Sequence, residues 1–201
     1  MGKNRLEAFS DGVMAIILTI MVLELRAPQG DSFRALGAIL PGFVGYALSF
    51  IYIAIYWNNH HHMFHAAGKV NGPILWANTH LLFWLSLVPF ATAWMGQNHF
   101  AARPVALYGG VLFMASLAYH LLSRCLIRHH GEGSLLLAAV GSDLKGRLSL
   151  WVYAGAALLS FANRWIGFAL YWLVALVWLA PDRRIERILA RQDGREGTLP
   201  P

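Results

Sequence analysis

Charge is scarce in this chain. Asp, Glu, Lys and Arg make up 13% of its 201 residues, about half the roughly 25% usual in a soluble domain. No hydrophilic block is long enough for a separate soluble domain, so one domain is expected over residues 1–180, followed by a basic tail over 181–201. Cysteine is nearly absent too. Cys125 stands alone, which excludes an intrachain disulfide and a thiolate metal cage and leaves a small buried apolar residue as its expected role. No A-x-A-like cleavage site follows the first apolar stretch, and Leu6 stands where a myristoylation pattern needs Ser or Thr, so neither a removable signal nor that lipid anchor is expected. A T-V-G-Y-G run is missing, which excludes a carbonyl selectivity filter of that type. Nothing like the first apolar segment recurs, and a single copy is a poor basis for an inverted-repeat transporter within one chain.

Apolar residues fill the space. They make up 57% of the sequence, and the mean hydropathy is +0.49. They fall into six blocks, near residues 8–25, 36–57, 74–95, 104–126, 147–162 and 165–180. A bilayer core about 30 Å thick takes about 20 helical residues, so the last two blocks are short. The fold class expected is an all-α polytopic membrane protein with six transmembrane helices. "SFANRWIG" (160–167) is expected to turn tightly between the last two, and 133–143 is either an interfacial helix or an extension of the fifth span. With six spans, 12 of the 16 basic residues fall on the side of both termini and 4 (Arg26, Arg34, Arg103, Arg164) on the other. That bias makes both termini and the tail cytoplasmic. It also accounts for the net charge of +6 without a nucleic-acid partner.

The first block, "RLEAFSDGVMAIILTIMVLEL" (5–25), carries an internal conflict. On a helical wheel Gly12, Thr19 and Leu23 lie within about 60° of Ile16, forming one stripe, while Ser10 and Asp11 lie about 120° and 140° away on opposite sides. A carboxylate inside a membrane helix costs on the order of 3 kcal/mol unless it finds partners. Arg5 is six residues earlier and is not the natural i,i+4 partner. The candidates on other spans are Trp57, His60, His61 and Asn78. Alternatively, Ser10 and Asp11 only cap a helix that starts near Gly12.

Arg5-x-x-x-Phe9-Ser10-Asp11 followed by "GVMAIILTIMVLEL" resembles the R-x-x-x-F-S-D opening of the transmembrane protein 175 family of potassium channels. The similarity continues through "YWNNHHHMF" (56–64), "LWANTHLLFWLSLVPFATAWMG" (75–96) and "LAPDRRIER" (179–187). With one six-span repeat, the chain resembles the bacterial form. The resemblance implies a potassium-permeable homotetramer in the bacterial inner (plasma) membrane, whose partners are other copies of itself, lipid and monovalent cations. It implies no enzymatic activity, no metal site and no cofactor beyond permeant K⁺. It also implies that the first helix of each subunit lines the pore, with Ile16 as the apolar constriction, Thr19 the next layer and Leu23 a further one. Arg5, Phe9, Ser10 and Asp11 would tie that helix to its neighbours. Ala91 departs from the family pattern where a second proline is expected, and Ile20-Met21 replaces a commoner leucine pair.

Two other readings start from different residues. "NHHHMFH" places His61 and His65 at i,i+4, a spacing that suits a metal, but no H-x-x-H-H box follows because Leu126 occupies the first position of "LIRHH". A histidine-rich membrane metalloenzyme is therefore the weaker rival. A proton-coupled carrier, with Asp11 and a histidine as relay, is the other.

Overall fold

A computed structural model describes residues 2–130 and 144–179. Eight helices make up the regular structure of these residues: α1 Lys3–Leu23, α2 Phe33–Ala38, α3 Leu40–His65, α4 Gly72–Ser86, α5 Val88–Gln97, α6 Ala102–His130, α7 Leu144–Ala162 and α8 Arg164–Leu179. The expected 133–143 element and the 181–201 tail lie outside the described residues. Among the described residues four helical stretches are long and apolar enough to cross a membrane: Lys3–Leu23, Leu40–His65, Gly72–Gln97 and Ala102–His130. The described parts of the last two helices span 19 and 16 residues.

Local chemistry explains most boundaries. Asn71 caps α4, its Oδ1 accepting from Ile74 N at 3.1 Å, and Ser32 caps α2 in the same way. Pro41, Pro73 and Pro104 sit in first turns, where the missing N–H has no intrahelical partner to lose. Pro89 sits in the first turn of α5 as well, but that turn begins inside the third apolar block. Its ring removes one backbone bond and crowds the preceding turn, and the helix breaks at Leu87 into α4 and α5. Between α7 and α8 only Asn163 is non-helical; its Oδ1 accepts from Trp165 N at 2.9 Å, making the tight turn expected there.

One boundary differs from the sequence reading. Helix α1 begins at Lys3, with Gly2 as its N-cap. Ser10 and Asp11 thus lie two turns inside it and do not cap a helix starting near Gly12. The preceding turns are worth forming because Leu6 buries itself in the core.

Helix α6 is central, packed against α4, α5, α7 and α8, whereas α1 lies at the margin against α3, α4 and α5. Small residues permit close approach. A Cβ on Gly96 would sit 2.9 Å from the Gly42 Cα, so α3 and α5 touch backbone to backbone. Polar groups inside the bundle are paired, as a medium without water demands. Ser49 Oγ lies 2.7 Å from Thr92 Oγ1 and 3.0 Å from Tyr108 Oη, and Tyr52 Oη donates to the Tyr171 carbonyl at 2.7 Å. Among the described residues no buried side-chain nitrogen or oxygen lacks a partner. Cys125, expected to be buried, is half-buried.

Candidate functional site: the first helix and its ties

Helix α1 has two unlike sides. Leu6, Ser10, Met14, Ile17 and Met21 are buried against the bundle. Phe9, Gly12, Ile16, Thr19, Ile20 and Leu23 are not, with Ile16 exposed at 60% and Leu23 at 74%. The stripe of Ile16, Thr19 and Leu23 is therefore a continuous surface that no other part of the described chain covers.

The buried side is held by a directional chain of hydrogen bonds. Ser10 Oγ donates to the Leu6 carbonyl, four residues back, at 2.9 Å. It accepts in turn from Asn78 Nδ2 on α4, also at 2.9 Å. The Asn78 Oδ1 then faces His60 Nε2 on α3 at 2.8 Å. Since an amide oxygen only accepts, that contact requires the proton of His60 to be on Nε2. Phe64 packs on the His60 ring at 4.5 Å between centroids. Ser10, His60 and Asn78 are all nearly inaccessible, so one chain of bonds ties α1, α3 and α4 together where no water can replace a lost partner.

The wheel places Asp11 behind the stripe with Ser10, and here the structure differs. Ser10 is buried but Asp11 is exposed, because the buried arc of α1 covers only one of its flanks. The carboxylate is reached from outside: Trp57 Nε1 donates to Asp11 Oδ1 at 3.0 Å. His61 does not bond to Asp11. It stacks on Trp57 at 6.0 Å, and His65 stacks on His61 at 6.2 Å, forming a ladder of flat rings at i, i+4 and i+8 along α3. Arg5 and Phe9 are exposed and make no hydrogen bond or ring contact with the Ser10 and Asp11 groups among the described residues. The sequence reading missed Leu6, whose carbonyl anchors Ser10; the signal that finds it is the i−4 spacing of a mid-helix serine.

Thr19 has a specific orientation. Its hydroxyl donates to the Ala15 carbonyl at 2.7 Å, so the oxygen's lone pairs are turned away from its own helix. Among the described residues, no three His, Cys, Asp or Glu side chains gather closely enough to hold a metal ion.

Residues 5–89, which include α3, α4 and all but the first two residues of α1, match the family model described as endosomal/lysosomal potassium channel TMEM175. A potassium channel of Chryseobacterium sp. (strain P1-3) is 56% identical over 189 residues, covering 94% of this chain and 98% of that one. This chain belongs to the TMEM175 family. The family is one of ion channels and not of enzymes. The crystal structure of a lysosomal potassium-selective TMEM175 homologue from Chamaesiphon minutus superposes with a TM-score of 0.77 at 26% identity, covering 88% of this chain and 96% of that one. A more distant TMEM175 relative, the endosomal/lysosomal proton channel of Bos taurus, is 28% identical over 180 residues, which are 81% of this chain and 38% of that protein.

Proposed function

We propose that this chain is one subunit of a potassium-permeable cation channel of the bacterial plasma membrane, in which four copies surround one axis. The observation that carries this function is the 56% identity, over nearly the whole of both chains, with a relative named as a potassium channel. Each subunit contributes six spans, α4 and α5 forming one of them, with both termini and the basic tail of 181–201 in the cytoplasm. The six spans make up a channel domain over 1–180. The α1 helix lines the pore, supported by the position of α1 at the bundle margin and its uncovered stripe.

In this reading four Ile16 side chains form an apolar collar that serves as both gate and filter. A cation crossing it receives no carbonyl compensation for lost water, so selectivity is modest. One turn further, four Thr19 oxygens point their lone pairs at the ion and replace part of its hydration. Leu23 forms a further apolar layer. The carboxylate of Asp11 and the buried Ser10 hydroxyl act behind the collar by holding α1 in register on α3 and α4. Arg5 and Phe9, the rest of the motif, belong to the same helix entrance.

The test is flux from liposomes containing the purified chain, with outward K⁺ and Na⁺ gradients compared, together with the oligomeric state in detergent. Cation flux from a tetramer supports the reading; a well-folded monomer without flux overturns it. The name of the Bos taurus relative favours a second permeant ion, the proton. A pH-gradient arm of the same assay, run at clamped membrane potential so that protons passing the pore do not drive K⁺ electrically, tests the proton-coupled carrier: steep dependence of K⁺ flux on the proton gradient favours it.

A further inference from the structure

Away from α1, the helices α3, α6, α7 and α8 enclose a cavity of about 230 Å³. Its lining changes character along its length. Asn59, near the end of α3, and Arg147, near the start of α7, line one end. Tyr52 and Tyr153 line the other, meeting edge-on at 5.9 Å between centroids. Seven residues separate Asn59 from Tyr52, which at 1.5 Å per residue makes the cavity run about 10 Å inward from the basic end of the bundle.

The deep end asks for hydrocarbon. Its polar atoms are already paired: Tyr52 Oη is committed to the Tyr171 carbonyl, and nearer Arg147 the Trp178 Nε1 donates to Ser149 Oγ at 2.9 Å. No buried side-chain donor or acceptor is left over among the described residues, so a polar ligand group gains nothing there and loses its water. An apolar cavity of about 150 Å³ is enough for a benzene molecule, so this one has room for a short run of acyl chain. The outer end asks for an anion. Arg147 is exposed and, among the described residues, has no hydrogen bond or ion pair of its own, and a guanidinium fork suits a phosphate better than an ammonium does. Leu117 and Trp151 line the same cavity while 38% and 72% exposed. The cavity therefore opens sideways through the apolar flank, where lipid would be its neighbour.

We infer that this cavity is a site for one anionic phospholipid, with the phosphate on Arg147 and part of one acyl chain between Tyr52, Tyr153 and Leu150. Basic pockets between membrane helices bind anionic headgroups by the same chemistry. Occupancy braces α3 from the side opposite the pore helix, because Tyr56 and Asn59 line the cavity while their neighbours Trp57 and His60 face the α1 ties. The inference rests on the bundle spanning a bilayer and not on which ion it passes.

The experiment is thermal unfolding of the full chain in neutral detergent with added phosphatidylglycerol, phosphatidylcholine or glycerol phosphate. Phosphatidylglycerol should raise Tm by about 5 °C at saturation, with little change from the other two. Arg147→Gln should abolish that difference. Arg128→Gln, an exposed charge at the same end but outside the cavity, should keep it. Leu150→Trp, which fills the cavity between Arg147 and the tyrosines and leaves Arg147 intact, should also abolish it, and serves if Arg147→Gln does not fold. Four results would each overturn the proposal: equal shifts from both lipids, a shift reproduced by glycerol phosphate alone, equal loss in Arg128→Gln, or an undiminished shift in the cavity variants. Because the readout is stability, failure here leaves the channel reading untouched, and absence of flux leaves this one untouched.

Discussion

On α1, Ser10 and Asp11 are neighbours in sequence yet live under different physics. Ser10 is fully buried, with a donor and an acceptor on either side of it, while Asp11 sits at the surface and is met by one indole N–H. A buried polar group that loses its partner bears the whole desolvation cost, whereas an exposed one exchanges its partner for water or lipid headgroups. The motif therefore combines a strong internal tie with a weaker external one. The stripe of Ile16, Thr19 and Leu23 takes no part in either, so substitutions can address ties and stripe separately.

Asn78→Leu tests the strong tie and should have the largest effect. It removes the only group between α1 and α3 on this path, leaving the Ser10 oxygen short of a donor and the His60 Nε2–H without an acceptor. Two buried groups at about 1–3 kcal/mol each predict a loss of about 3 kcal/mol, read as a lowered Tm and a dissociating oligomer in detergent. An unchanged Tm would mean the chain of bonds is incidental. Ile16→Asn comes next and tests the other side of α1. The side chain is uncovered within the subunit, so folding should survive, while cation leak should rise about tenfold, equivalent to about 1.4 kcal/mol off the barrier. If leak in liposomes stays at the parent level, the collar is elsewhere.

Much of this arrangement is legible in the amino-acid sequence, and what is not has physical causes. Ser10 and Asp11 announce themselves because an apolar helix has no other reason to carry them, and three of four candidate partners on other spans meet them directly or through Asn78. His61 does not, since helical spacing turns it along the outside of α3 under Trp57. The start of α1 escapes the sequence reading because "KNRLEA" looks too polar to be membrane helix; periodicity says nothing of a turn that projects past the apolar core and still buries Leu6. The break at Leu87 is hidden inside a continuous apolar block, with Pro89 its only mark. The hydroxyl cluster of Ser49, Thr92 and Tyr108 joins residues up to 59 apart in sequence, and no local pattern reports that. The cavity is invisible in sequence for the same reason: four helices line it, each contributing one face.

Trp57→Phe tests the weaker tie. Phenylalanine keeps a ring for His61 to stack on and removes the donor to Asp11, so the expected loss is about 1 kcal/mol or less. That makes a clean contrast with Asn78→Leu. Tm should move by a few degrees at most, and the oligomer should persist. A collapse as large as that of Asn78→Leu would show that Asp11 is far less accessible in the assembled channel than in one subunit, which would sharpen the comparison by making the external tie an internal one.

The smallest effect is expected at Thr19→Val, and its smallness is informative. Thr19 is exposed and donates only to the Ala15 carbonyl, which keeps its ordinary helix bond from the Thr19 N–H after substitution, so no buried group is stranded. Valine preserves the shape of the side chain and removes the outward-facing oxygen. Stability should therefore change by less than about 0.5 kcal/mol, while the ratio of K⁺ to Na⁺ flux should fall by about twofold as four oxygens leave the pore layer. The two readouts divide the possibilities. A lower ratio at constant Tm assigns selectivity to the Thr19 oxygen; an unchanged ratio leaves discrimination to the Ile16 collar alone; a lower Tm with no change in ratio would place Thr19 against a neighbouring subunit, not in the path of the ion.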